Sequence, residues 1–93
     1  MYKQLKKKHP NKSPVVLDTS HIEIKQKKFL IDSDMNVAEF IQHFKQKYVQ
    51  NIKKNQALVF LFNNNLEPMN RTFTQIENNN LIHLNILVED TFG

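Results

Sequence analysis

The clearest pattern along the chain is an apolar stripe between residues 36 and 49. Its members recur three and four positions apart, as on one face of an α-helix, and are Val37, Phe40, Ile41, Phe44 and Tyr48. Asn36 precedes the stripe and Glu39 follows three residues later, which is typical of a capping box. The pattern therefore predicts a helix over residues 36–49 that buries one face.

Four shorter apolar segments predict β-strands. Two of them, residues 14–18 and 28–31, precede the helix, and two, residues 56–62 and 81–88, follow it. The run at 56–62 is continuously apolar from its second residue, as expected of a central strand covered on both faces. The last segment alternates, and the residues on its apolar side are Ile82, Leu84, Ile86 and Val88.

The remaining segments complete the order of elements. A short helix is expected over residues 2–8, ended by His9-Pro10, and one helical turn over residues 73–77. Residues 19–27 are mostly polar and predict an irregular connection. The order (helix)–strand–strand–helix–strand–short helix–strand is typical of the β-grasp. This α+β architecture has a four-stranded mixed sheet, one main helix packed across it and, here, a short or missing N-terminal helix.

Only one of the 93 residues is glycine, and it is the last, Gly93. Turns must therefore use other residues, and the best candidates are residues 63–65 and 78–80, which are all asparagine. A glycine at the end of a polar tail suits a backbone that passes through a narrow channel. We expect a basic arm or short helix at 1–12, one folded domain at 13–88 and a flexible tail at 89–93.

Charge is unevenly distributed along the chain. Residues 1–54 carry a net charge of +7, whereas residues 55–93 carry −3. A basic half favours acidic partners such as nucleic acid, anionic lipid or acidic peptide. Nucleic-acid binding is the weaker interpretation, because the basic arm is lysine without arginine and no aromatic pair suggests base stacking. The arm consists of Lys3, Lys6, Lys7, Lys8 and Lys12.

The composition argues against an enzyme, a metal centre or a secreted protein. The chain has no cysteine, so it cannot itself form a disulfide, a thioester or a thiolate metal site. No cofactor is expected, because one glycine cannot build a phosphate-binding loop and the histidines lack metal-ligand spacing. Those histidines are His9, His21, His43 and His83. A polar N-terminus without a secretory signal predicts a cytoplasmic protein.

Three stretches of the chain stand out together. Residues 9–16 read His-Pro-Asn-Lys-Ser-Pro-Val-Val, residues 28–31 read Lys-Phe-Leu-Ile, and residues 91–93 read Thr-Phe-Gly. In the same order, they resemble the His-Pro-x-Lys-x-Pro-Val-Ile stretch, the Lys-Phe/Tyr-Leu-Val strand and the Thr-Phe-Gly ending of the autophagy-related protein eight family, which includes GABARAP. The resemblance spans almost the whole chain and implies a ubiquitin-like modifier.

The resemblance implies a chemical role for Gly93, with Thr91 and Phe92 in its tail. In the family, an activating enzyme adenylates the glycine carboxylate, enzyme cysteines carry it as a thioester, and phosphatidylethanolamine accepts it. The expected partners are therefore activating and conjugating enzymes, a processing and delipidating cysteine protease, and membranes such as the autophagosome. The sister family, autophagy-related protein twelve, is joined to a protein lysine instead and usually ends in Trp-Gly.

The resemblance also implies peptide binding at an edge strand, residues 28–31, with cargo receptors as partners. The pocket for the peptide's aromatic anchor would involve Leu5, Pro14, Val16, Lys28, Leu30 and Leu81. The pocket for its aliphatic anchor would involve Phe29, Ile31, Phe40, Phe44 and Lys47. Phe40, Phe44, Val16 and Leu30 fit a plain core role equally well, so Phe29 and Lys28 are the stronger binding candidates.

The chain departs from the family pattern at several of these positions. It has almost no room for the additional helix that usually precedes the His-Pro stretch, so Leu5 falls in an N-terminal element of its own. Asp32 stands where the family usually has proline, which predicts a negative charge near the second pocket. Leu81 replaces an aromatic residue, and the segment before the last strand is short.

Overall fold

The computed structural model describes residues 2–20, 24–48 and 56–90. Seven elements follow one another along them: α1 (Tyr2–Lys8), β1 (Lys12–Ser20), β2 (Lys28–Asp32), α2 (Val37–Tyr48), β3 (Gln56–Phe62), α3 (Phe73–Glu77) and β4 (Ile82–Asp90). This order confirms the predicted β-grasp. No helix in these three ranges is long and apolar enough to cross a membrane.

The four strands form one mixed sheet in the order β2-β1-β4-β3. β1 and β4 are parallel at its centre, and each has an antiparallel neighbour on its outer side. A parallel pair needs a long crossover, and here β2, α2, β3 and α3 lie between β1 and β4 in the chain. Within the described ranges, β2 and β3 therefore each have a single strand partner.

The prediction that residues 56–62 form a central, doubly covered strand is wrong, because β3 lies at a sheet edge. Phe60 and Phe62 are buried toward the core, whereas Val59 and Leu61 on the other face are only half-buried. A short apolar run has the same appearance at an edge as at the centre, since periodicity reports faces and not lateral neighbours.

The core lies between the sheet and α2. Phe40 on α2 makes edge-to-face contacts with Phe73 at 5.2 Å and Phe62 at 5.9 Å between ring centroids. The start of α2 confirms the predicted capping box. The Glu39 amide donates to Asn36 Oδ1 at 2.8 Å, and the Asn36 amide donates to Glu39 Oε1 at 3.4 Å.

Several element boundaries differ from the predictions by one or two residues, and two of these differences change what a segment is. β1 continues to Ser20, so the expected irregular connection begins later. β4 continues to Asp90, which pairs with Gln56, so residues 89 and 90 belong to the sheet and not to the tail. In both cases backbone pairing extends into polar residues, because ladder hydrogen bonds do not require apolar side chains.

The asparagine runs form the turns that the lack of glycine required of them. Among the described residues, four adopt a positive φ: Asn63, Asn64, Asn78 and Asn79, at 53°, 66°, 45° and 57°. Asparagine tolerates this left-handed region better than other residues with a side chain. The first pair follows β3, and the second follows α3.

Candidate functional site

The free edge of β2 presents backbone groups that no other strand uses within the described ranges. The Leu17 amide donates to the Lys27 carbonyl at 2.7 Å, and the Ser33 amide donates to the Asn11 carbonyl at 3.0 Å. Because neighbouring residues of a strand direct their amides and carbonyls to opposite edges, Lys28, Leu30 and Asp32 direct theirs away from β1.

Side chains of β2 alternate between the two faces of the sheet. Phe29 and Ile31 face α2, whereas Lys28 and Leu30 face the opposite side, where α1 packs against the sheet. β2 therefore separates two cavities. We call them the α1 cavity and the α2 cavity after the helices that line them.

The α1 cavity brings together all six residues assigned from the sequence to the first pocket. It has a volume of about 480 Å³ and is lined by Leu5, Pro14, Val16, Lys28, Leu30 and Leu81, with Val15, Gln26 and Phe29. Leu5 lies on α1, and Leu81 is the residue immediately before β4. The short N-terminal helix is thus sufficient to place Leu5 over the sheet.

The α2 cavity likewise brings together all five residues assigned to the second pocket. It is smaller, about 240 Å³, and those five lining residues are Phe29, Ile31, Phe40, Phe44 and Lys47. Five further residues line it: Leu30, which was assigned from the sequence to the other pocket, and four that were not expected at either pocket, Gln26, Met35, His43 and Tyr48. The spacing of His43 and Tyr48 on α2 could have revealed both, whereas the position of Gln26 depends on the path of the chain before β2.

The binding candidates on β2 differ in burial. Phe29 is only 9% exposed, and its ring packs against Phe44 at 6.0 Å and Tyr48 at 5.8 Å between centroids. Leu30 is 39% exposed instead. The burial of Phe29 counts against its preference over Leu30, although Phe29 lines both cavities, and the binding role of each residue stays a prediction. Phe29 has few apolar neighbours in sequence, and its burial comes instead from Phe44 and Tyr48 of α2, which are distant in sequence.

Positively charged side chains surround the first residue of β2. Lys25, Lys27 and Lys28 are exposed there, and Lys47 lies at the α2 cavity. Asp32, at the other end, forms an ion pair with Lys12 of β1 and lines neither cavity. The negative charge predicted near the second pocket is therefore offset by a neighbouring lysine.

A polar cluster fastens α1 to the rest of the molecule. Lys6 Nζ lies 3.1 Å from Glu77 Oε1 at the end of α3 and donates to the Lys12 carbonyl at 3.0 Å. Burial raises the pKa of Tyr2, and the hydrogen bond to Glu77 and the charge of that carboxylate raise it further. These contacts hold the helix that carries Leu5 against the sheet.

Two other expectations concern chemistry away from the edge. Thr91, Phe92 and Gly93, the expected conjugation tail, lie outside the described residues. Within the described ranges, no group of three or more histidine, aspartate or glutamate side chains is arranged to hold a metal ion. His83, for example, contacts Asp18 alone among acidic side chains there, at 2.9 Å.

Comparison with known proteins identifies the family. The family model described as autophagy protein Atg8, ubiquitin-like, matches residues 2–93. The chain belongs to the Atg8 family. Among solved structures, this chain resembles Trypanosoma brucei ATG8 with a TM-score of 0.74 and 24% sequence identity. The match covers 99% of this chain and 85% of the Trypanosoma brucei chain. This likeness supports the ubiquitin-like fold. No curated protein sequence matches the chain.

Family membership places this chain among the ubiquitin-like proteins of autophagy, with partners in that pathway. The free edge of β2 and the two cavities beside it offer a concave surface for such partners.

Proposed function

We propose that this Atg8-family chain is an autophagy modifier with two working parts. Through Gly93 it is conjugated to phosphatidylethanolamine on autophagic membranes. Along β2 it binds short peptides of cargo receptors that carry one aromatic and one aliphatic anchor. The observation that carries the peptide-binding part is the unpaired edge of β2 between two cavities on opposite faces of the sheet.

The edge suits strand addition. An extended peptide alongside β2 gains main-chain hydrogen bonds from the backbone of Leu30, whose amide and carbonyl have no partner among the described residues. Side chains of the added strand alternate between the two faces, so one anchor enters each cavity. The larger α1 cavity takes the aromatic anchor, and the smaller α2 cavity takes the aliphatic one.

Charge supports an acidic partner. Lys25, Lys27 and Lys28 are exposed where β2 begins. Acidic residues beside the peptide's anchors would be attracted to these lysines, which raises the association rate more than it raises the affinity. The same lysines give no reason to prefer nucleic acid to a peptide as the partner, because the α1 and α2 cavities beside them are lined mainly by apolar side chains.

The conjugation part follows from the chemistry of a carboxylate. An amine attacks a carboxylate only after activation, and this chain lacks the cysteine that could carry it as a thioester. An activating enzyme would supply the adenylate, a conjugating enzyme's cysteine would then hold the thioester, and the lipid amine would displace the thiolate to form an amide. The chain is thus a substrate and not an enzyme, cytoplasmic until lipidation attaches it to the membrane. A cysteine protease would process and delipidate it.

Peptide binding is tested at Leu30, the most exposed apolar residue of β2. We expect Leu30→Ala to weaken a peptide with both anchors about tenfold, since about 1–2 kcal/mol of apolar contact is lost. Leu66→Ala is the matched control, because Leu66 is 72% exposed and lines neither cavity. Titration calorimetry measures the affinity, and circular dichroism checks folding. Equal affinities of Leu30→Ala and the wild type would refute binding at this edge.

Conjugation is tested by reconstitution with purified activating and conjugating enzymes of the pathway, ATP and liposomes. We expect mass spectrometry to find an amide between Gly93 and phosphatidylethanolamine. Liposomes of phosphatidylcholine, whose quaternary amine cannot attack a thioester, and a chain ending at Phe92 are the controls. If no lipid adduct forms, the lipidation proposal fails. An adduct on a protein lysine in cells would point to the behaviour of the autophagy-related protein twelve family.

A further inference from the structure

Gln26 occupies a special position at the beginning of the edge. It lies two residues before β2 and lines both the α1 cavity and the α2 cavity. Its Nε2 donates to the Lys28 carbonyl at 2.8 Å, and its Oε1 accepts from the Tyr48 hydroxyl at 2.8 Å. Both ends of the carboxamide are therefore engaged, although the side chain is exposed.

The Lys28 carbonyl is one of the groups that an added strand would use, since it points away from β1. The Asp32 carbonyl, at the other end of the edge, accepts from the Met35 amide at 3.0 Å. Of the three outward carbonyls, only that of Leu30 has no partner within the described ranges. The Gln26 amide thus donates to Lys28 the hydrogen bond that a peptide amide would donate.

We propose that Gln26 is an internal competitor for the peptide-binding edge, held in place by Tyr48. A peptide that pairs with the full length of β2 must displace the Gln26 carboxamide from the Lys28 carbonyl and break its bond to Tyr48. Gln26 therefore lowers the affinity for peptides and favours those whose anchors compensate for this loss. This inference rests on the proposed peptide-binding function.

The surroundings explain why Tyr48 can hold Gln26. The ring of Tyr48 packs against Phe44 at 4.9 Å and Phe29 at 5.8 Å between centroids, so its hydroxyl is positioned by the aromatic core. Gln26 has no comparable packing and lies on the connection before β2. The hydroxyl is the rigid partner, and the carboxamide is the part that can swing away.

A double-mutant cycle tests this competition. Gln26→Met keeps the length of the side chain but cannot donate to Lys28, and Tyr48→Phe removes only the hydroxyl. The probe is a synthetic peptide with three aspartates before a tryptophan and a leucine three residues after it, titrated by calorimetry. We expect each single variant to bind about two- to tenfold more tightly than the wild type, the range set by one net hydrogen bond. Because both changes release the same contact, Tyr48→Phe should add little in the Gln26→Met background.

The control and the outcomes separate the two proposals. Gln42→Met makes the same substitution at an exposed position of α2 that lines neither cavity, and its affinity should equal that of the wild type. The inference is overturned if the single variants bind no more tightly than the wild type, or if their effects simply add. A peptide that binds none of the proteins, wild type included, would instead refute the proposed function of the edge.

Discussion

At the scale of single residues, Lys6 shows how one charged side chain can organise a helix end. Its ammonium donates to the carbonyls of Pro10 and Lys12 at 3.1 and 3.0 Å and pairs with Glu77. Glu77 is only 7% exposed, so its charge would be costly to bury without this partner. The sequence places Lys6 in the basic arm, and the structure shows that its ammonium pairs with Glu77 inside this molecule.

Glu77→Gln tests the contribution of this pair. We expect the free energy of unfolding to fall by about 1–3 kcal/mol, because Lys6 keeps its position but loses the opposite charge in a partly buried site. Asp32→Asn is the matched control, since its ion pair with Lys12 is exposed on both sides and its loss should cost at most about 0.5 kcal/mol. Urea denaturation measures both. Equal effects of the two variants would contradict a special role for Glu77.

At the scale of elements, β2 derives its proposed role from its position at the sheet edge and from its alternating faces. Four of its five residues line the two cavities: Lys28 lines the α1 cavity, Ile31 lines the α2 cavity, and Phe29 and Leu30 line both. The strand itself contributes only one side chain to the core cluster at full burial, Phe29. An edge strand that is otherwise exposed is the type of element to which peptides add.

The alternation sets the spacing of the peptide's two anchors. Cavities on opposite faces of one sheet can receive two side chains of an added strand only if their residue numbers differ by an odd number, such as i and i+3. We therefore expect a peptide with anchors three residues apart to bind, and the same composition with anchors two or four apart to lose at least about tenfold in affinity. Fluorescence anisotropy of labelled peptides measures this. Equal binding at all spacings would argue against an added strand.

At the scale of the whole molecule, the two proposed functions use different parts of the sheet. β1 lies between β2 and β4, and β4 is the strand that leads to the tail. The strand that would bind the peptide is therefore not the strand from which the chain continues toward Gly93, and β1 lies between the two. This separation allows a chain attached to a membrane through its end to keep β2 available for a partner.

The sequence by itself determined the elements and the family. Three features are local patterns: the stripe on α2, the alternation in β4 and the asparagine turns. The first two follow from the periods of a helix and a strand, and the third from the tolerance of asparagine for a positive φ, so residues close in sequence are enough to predict them. Residues 9–16 and 28–31, with the ending at Gly93, indicated the family, and the match over residues 2–93 confirmed it. The lining residues of both cavities could be predicted only from the resemblance, by assigning the family's pocket positions to the matching positions of this chain.

Only the tertiary structure decided lateral order, burial and the details of the edge. The apolar run of β3 lies at an edge, Phe29 is core and Leu30 is exposed, because strand neighbours and helix packing are set by residues far away in sequence. Gln26 and Tyr48 are 22 positions apart, and neither belongs to a pattern that suggests they meet. Hydrogen bonds between side chains depend on distances of a few ångströms, which the fold creates and no local period records.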